Sequence, residues 1–217
     1  LVYTLEDSSK KAVSPARTAF DWDVSGERLL YTTHSRRNKH GSRFWDLYTA
    51  TLSDSSGLSA WQTVRSSVGL SSATPSRFER LTHDGRAAHP HYSPDGSEIV
   101  YVHNQGGTNN LVVLNLETKE TRSLTDFSDG TQVYTPDWHP NGKEIVFSIF
   151  TPDGDRSIAI IPSDGGDWRY LVSSPETDRD PRWTPDGKGL VFSSDQDGIF
   201  DLFHLDVETG DIHRITR

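Results

Sequence analysis

Four stretches of the chain repeat one hydrophobic and polar pattern: Ala19–Thr33, His89–Val102, Thr135–Ser148 and Asp180–Ser193. Each carries a short strand with an aromatic residue near its end, a four-residue polar turn, and then an almost unbroken apolar run. The apolar runs are Leu29-Leu30-Tyr31, Ile99-Val100-Tyr101, Ile145-Val146-Phe147 and Leu190-Val191-Phe192. An alternating strand has one wet face, whereas a continuous run predicts a strand buried on both faces, as in sheets stacked face to face. Turns open at Asp23, Ser93, His139 and Thr184. The last two spacings are 46 and 45 residues, and the first is 70, one period plus a Ser-rich insertion at 53–76.

Each repeat extends to four strands. The inner strand holds Pro-x-aromatic at Pro90-His91-Tyr92, Pro136-Asp137-Trp138 and Pro181-Arg182-Trp183, with Phe20-Asp21-Trp22 as the divergent copy. In the Pro-Asp-Gly turns proline presets φ, and glycine accepts the left-handed conformation that closes a hairpin. Third strands are expected at Asp46–Leu52, Asn110–Leu116, Ser157–Pro162 and Asp201–Val207. Fourth, more polar strands end at Leu81-Thr82, Leu124-Thr125, Leu171-Val172 and Ile215-Thr216. A lone four-stranded sheet with two apolar faces needs a neighbour on each side, and units repeating every 40–50 residues supply them in a β-propeller. The expected fold is therefore all-β: four four-stranded antiparallel blades at about 17–82, 83–125, 126–172 and 173–217. Leu1–Glu6, within 1–16, reads as a strand of a preceding blade, and one short helix is expected within Leu58–Val68.

Composition narrows the function. The 217 residues carry a formal charge of −9, against a nucleic-acid partner, which would want a basic face. No apolar stretch approaches the roughly 18 residues that span a bilayer. With no cysteine, thiol catalysis, disulfides and Cys-ligated zinc are excluded. No P-loop, dinucleotide fingerprint or His-Glu-x-x-His occurs, and Gly57-Leu58-Ser59-Ala60-Trp61 fails as a nucleophile elbow at its last position. Asp195-Gln196-Asp197-Gly198 imitates the start of a calcium loop but lacks the distal ligands, and reads as a turn. No cofactor and no catalytic residue are expected.

His91–Val102 with the preceding His89-Pro90, and Asp178–Thr216, carry Pro-x-aromatic-Ser-Pro-Asp-Gly-x-x-Ile-Val-aromatic, Ser-Asp-x-Asp-Gly and Arg-Leu-Thr phrases in full or in part. These resemble the TolB-like propeller repeat, and the resemblance covers about Arg17–Arg217. Blade one departs most, with Val24-Ser25 in place of Pro-Asp and Phe20 in place of the proline. The resemblance implies six or more blades, so the four here read as part of a larger ring; a closed four-bladed ring is the alternative. It also implies a non-enzymatic, periplasmic or otherwise extracytoplasmic scaffold that binds a protein, such as a peptidoglycan-associated lipoprotein, through its central face. Similar repeats occur as propeller domains of serine peptidases and amidohydrolases, and in oligogalacturonate lyases with a His-rich metal site.

Candidate binding residues follow from the inner strand. The variable position between proline and the aromatic is Asp21, His91, Asp137 and Arg182 around the ring, which predicts charge pairing between neighbouring blades, Asp137 with Arg182 in particular. His89 and His91, two apart in a strand, are expected to share a face near the axis. No other blade supplies a histidine at that position, so no metal is assigned. Asp180 opens the fourth repeat, and Arg36 and Arg37 make the blade-one loop basic. Loops after strand four and between strands two and three are expected to share one rim, the usual recognition face of a propeller.

Overall fold

The computed structural model describes residues 20–23, 25, 28–34, 44–51, 78–83, 85–154 and 156–216. Among them every helix or strand element is a strand, sixteen in all. They form four antiparallel sheets of four, each following chain order from the inner strand outwards. Blade one comprises β1 (Phe20–Trp22), β2 (Arg28–His34), β3 (Trp45–Thr51) and β4 (Phe78–Arg80). Blade two comprises β5 (Ala87–Tyr92), β6 (Glu98–Gln105), β7 (Thr108–Asn115) and β8 (Thr121–Ser123). Blade three comprises β9 (Gln132–Trp138), β10 (Glu144–Phe150), β11 (Arg156–Pro162) and β12 (Arg169–Val172). Blade four comprises β13 (Asp178–Trp183), β14 (Gly189–Ser194), β15 (Asp201–Asp206) and β16 (Ile212–Arg214). The inner strands of successive blades pack side by side. The expected strand at Leu1–Glu6, the helix within Leu58–Val68, the insertion at 53–76, and Arg36 and Arg37 all lie outside the described residues.

The two-faced burial follows from the register. In blade two, Ile99 pairs with Leu114 and Tyr101 with Val112 on one face, while Val100 pairs with Val113 and Val102 with Leu111 on the other. The first face packs on Leu30 and Leu47 of blade one. The second packs on Trp138, Ile145, Phe147, Ala159 and Ile161 of blade three. Val146 and Ile158 of blade three then meet Leu190, Phe192, Phe203 and Leu205 of blade four. Each such fully buried aliphatic or phenyl side chain contributes about 1.5–3 kcal/mol. The stack is thus held by seams between sheets.

The fourth strands β4, β8 and β16 end one or two residues earlier than expected, and side-chain bonding gives the reason. Thr82, Thr125 and Thr216 leave the ladder and use their hydroxyls on strand three instead. Thr125 Oγ1 accepts the Leu111 N–H at 2.9 Å and donates to Asn110 Oδ1 at 2.9 Å. Thr82 treats Leu47 and Asp46 the same way, and Thr216 treats Leu202 and Asp201 likewise. Arg80 and Arg214 complete the clamp, reaching Asp46 at 2.7 Å and Asp201 at 2.5 Å. The Arg-Leu-Thr phrase of blade one and Arg-Ile-Thr of blade four therefore fasten the outer strand to a buried carboxylate.

The two ends of the stack differ in finish. At one end the hairpin turns close on themselves: Ser93 Oγ donates to Asp95, His139 Nδ1 accepts the Asn141 N–H, and Thr184 Oγ1 donates to Asp186. Turns also bridge blades, with Arg28 Nη2 on the Gly96 carbonyl and His139 Nε2 3.1 Å from the Gly187 oxygen. The other end gathers both loop groups. The Asn104 N–H donates to the Arg86 carbonyl, the Thr177 N–H to Asp195 Oδ1, and the Asn109 N–H to Gln132 Oε1 of the next blade. Asp195 is thereby committed to fixing the rim, which accounts for the apparent calcium-loop start as a structural turn.

Candidate functional site

Proline disfavours the helical region for the residue before it and steers that residue to extended backbone. Here the pre-proline residues do otherwise. His89, Thr135 and Asp180 adopt φ of 49°, 46° and 56°, a left-handed conformation unusual for residues with a side chain. Each lies inside a register shift of its inner strand, between Ala88 and His91 on β5, opposite Val146 to Ser148 on β9, and between Arg179 and Arg182 on β13. Three successive blades therefore carry the same β-bulge, which re-aims a side chain near the rim end of the axis. Ser148 supports one of them, its hydroxyl accepting the Asp180 N–H at 2.9 Å and standing 3.2 Å from Thr135 Oγ1. The bulge also corrects the expectation that His89 and His91 share a face by simple alternation, because the extra residue between Ala88 and His91 breaks the period of two.

Below the bulges runs the variable column. Asp21 Oδ2 accepts the Tyr92 N–H of the next blade at 2.8 Å, and Asp137 Oδ2 accepts the Trp183 N–H of its next blade at 2.8 Å. His91 sits between these carboxylates, its Nδ1 3.3 Å from Asp21 and 3.5 Å from Asp137. Arg182 Nη1 stands 3.9 Å from Asp137 Oδ1 and donates to the Pro136 and Pro181 carbonyls at 3.3 Å. Asp21, His91, Asp137 and Arg182 are thus brought together as a line of ion and hydrogen-bond contacts across four blades. Each aspartate acts chiefly as a latch on the neighbouring inner strand, a role that the pattern of charges alone does not reveal.

Electrostatics tie this column to the bulges. Burial holds the His89 imidazole below its ordinary pKa, Asp180 opposes that shift, and Arg182, His91 and Arg156 reinforce it. The shift favours the uncharged imidazole. Burial also pushes the Asp137 carboxyl above its ordinary range, against the pull of His91, Arg182 and the Trp183 N–H. Asp180 remains open, its side chain 53% exposed, with Arg179 Nε at 3.7 Å. Arg156, which no inner-strand motif contains, joins the group by lying over the Tyr134 ring at 4.6 Å. Among the described residues no cluster of three or more His, Asp or Glu side chains is arranged to hold a metal ion. Arg36 and Arg37 lie outside the described residues, so the axial group consists of His89, His91, Asp137, Asp180, Arg182 and Arg156 with Asp21 at its edge.

A stack of repeated four-stranded sheets around an axis, with bulged inner strands and a loop-rich rim, defines a β-propeller. The TolB beta propeller domain family matches residues 79–217, and this chain belongs to that family. Among curated relatives, a protein TolB homolog of Chlorobium luteolum is 31% identical over 141 residues, covering 65% of this chain and 30% of the relative. An uncharacterized peptidase of Bacillus subtilis is 24% identical over 145 residues, covering 50% of this chain and 22% of the peptidase. Among solved structures, a putative TolB from Agrobacterium tumefaciens superposes with a TM-score of 0.68 at 20% identity, covering 92% of this chain and 61% of that one. The match to this chain thus spans less than a third of either curated relative.

Proposed function

We propose that this chain is a four-blade portion of a larger propeller that recognises a protein partner on its loop-rich rim, outside the cytoplasm. One observation carries the reading. The hairpin turns bond within themselves, whereas the rim end carries four left-handed non-glycine residues, Arg86, His89, Thr135 and Asp180, together with an open Asp180 carboxylate and a mixed set of charges around the axis. Strained backbone concentrates where a surface is shaped to meet something else. The TolB relationship supports a scaffold without chemistry of its own, and Asp21, His89, His91, Asp137, Asp180 and Arg182 are the proposed contact residues, to which the sequence adds the basic Arg36 and Arg37.

A ring larger than four blades is supported by the far face of blade four. Leu202 on that face is 41% exposed, while its counterpart Leu111 in blade two is fully buried. A further blade of the same parent protein is the occupant that continues the seam geometry of the other three interfaces.

Site-specific photocrosslinking in the intact protein tests the recognition reading. A benzophenone side chain at Asp129 on the rim is expected to give a discrete adduct in cell envelopes, and one at Asn141 on the opposite turns none. Adducts at both positions alike, or at Asn141 alone, would remove the rim from consideration. The second reading, a propeller domain attached to a hydrolase, is favoured by the peptidase relative. Turnover of aminoacyl p-nitroanilides by the intact protein, abolished by a serine-directed inhibitor, would establish it.

A further inference from the structure

The strand registers place one column at the start of strand three: Trp45, Asn109 and Arg156 lie opposite His34, Asn104 and Phe150, and Phe200 holds the equivalent position one residue before β15, whose Asp201 pairs with Ser194 at the end of β14. In blade two the position is settled, because Asn109 binds Asn104 and the Gln132 side chain. In blades three and four it forms an arginine–aromatic pair, with the members exchanged. Arg156 lies over Tyr134 at 4.6 Å in blade three, and Arg179 lies over Phe200 at 3.7 Å in blade four. Arg179 also has the Asp180 carboxylate at 3.7 Å. Arg156 has no hydrogen bond or ion pair through its guanidinium among the described residues, and its Nε is buried without a partner. Asp180 influences it, yet from beyond ion-pair distance, and burial holds its pKa below the ordinary value.

A guanidinium offers five donors in a planar fork, and stacking on a ring occupies its flat face while leaving that edge available. With Nε buried, the reachable donors of Arg156 are its terminal Nη1 and Nη2, which have no protein acceptor among the described residues and which a planar carboxylate meets in two parallel, charge-assisted bonds. We propose that Arg156 is the carboxylate-reading residue of the rim, taking an Asp or Glu side chain from an acidic segment of the partner protein. Asp180 is the internal competitor that the ligand carboxylate displaces from Arg156's field. The inference rests on the rim-recognition reading and specifies the chemistry of what is recognised.

The test uses a fluorescein-labelled hexaglutamate with an amidated C-terminus, followed by anisotropy on the intact protein at low salt. Binding is expected, weakened at least tenfold by Arg156→Gln, retained in part by Arg156→Lys, and tightened by Asp180→Asn. Hexalysine controls for bulk attraction to a chain of charge −9. An amidated probe that fails while a free C-terminal carboxylate binds would overturn the side-chain source. Hexaglutamate binding that is absent, or indifferent to Arg156→Gln in a protein with unchanged circular dichroism, would overturn the proposal. Rim crosslinks that persist in Arg156→Gln alongside lost peptide binding would mean that recognition at the rim stands without the carboxylate. Absence of rim crosslinks with hexaglutamate binding intact would mean the reverse.

Discussion

The far faces of blades two and four are built on the same register and end up in different environments. In blade two, Val100, Val102, Leu111 and Val113 are sealed by blade three, none more than 2% exposed. In blade four the same positions hold Val191, Ser193, His204 and Leu202, and Leu202 is 41% exposed. Phe200 and Ile199 beside it are exposed as well. Burial in a propeller is therefore set by the neighbouring sheet and only permitted by the strand that is buried. His204 and Ser193 make blade four's face less apolar than its counterparts, yet it keeps enough hydrocarbon to accept a neighbour.

The largest expected effect separates those faces directly. Leu111→Ala removes packing from a sealed seam and should cost about 2–5 kcal/mol in urea unfolding of this chain. Leu202→Ala should cost about 1 kcal/mol or less, in keeping with its exposure. Equal losses would mean that Leu202 is covered, and the comparison would fail. If a further blade seals this face in the intact protein, Leu202→Ala there should approach the cost of Leu111→Ala, which sharpens the ring proposal.

A middle-sized effect distinguishes the same column at a sealed and an open seam. Asp137, 15% exposed at its side chain, latches the Trp183 N–H of the next blade. Asp137→Ala leaves that N–H without its acceptor and should cost about 1–3 kcal/mol. Arg182, 47% exposed, bonds to carbonyls of its own and the preceding blade and should cost about 0–1 kcal/mol on truncation to alanine. A larger loss at Arg182 than at Asp137 would assign the column's stability to its guanidinium end.

The sheets were legible from sequence because their cause is periodic: unbroken apolar runs, glycine-bearing turns and a repeat near 45 residues all point to stacked blades. The charge column was legible for a related reason, since one variable position recurs between proline and an aromatic. The features that the sequence does not show are non-periodic or inverted. His89, Thr135 and Asp180 precede proline and are not glycine, so local rules assign them extended backbone, whereas the β-bulges of the folded sheets place them in the left-handed region. The Thr125–Asn110 clamp joins β7 to a residue just beyond the end of β8. Arg156 is among them because blade four exchanges arginine and aromatic between strands, so an alignment of inner strands shows no shared arginine.

The smallest expected effect is a slope with pH, and it tests whether the seam around Asp137 excludes water. Burial raises the Asp137 carboxyl above its ordinary value of 3.8. An acid raised in the folded state holds its proton more tightly there than in the unfolded chain, so ionisation weakens folding. Its contribution is most favourable below 3.8 and is lost as pH rises through the elevated folded value. Asp95 and Asp186 at the open turns run the other way. Hydrogen bonds from Ser93 and Thr184 lead in lowering them, so their contribution is present above 3.8 and disappears as pH falls through the depressed values. Asp137→Asn cannot titrate and should gain stability relative to the unmodified protein between pH 3 and 7, whereas Asp95→Asn should lose it over acidic pH. Whatever constant offset the amide introduces at Asp137 is irrelevant, because the slope alone reports desolvation. A flat difference for Asp137→Asn across that range would show the latch to be hydrated, and the seam between blades three and four would then resemble blade four's open face more than blade two's sealed one.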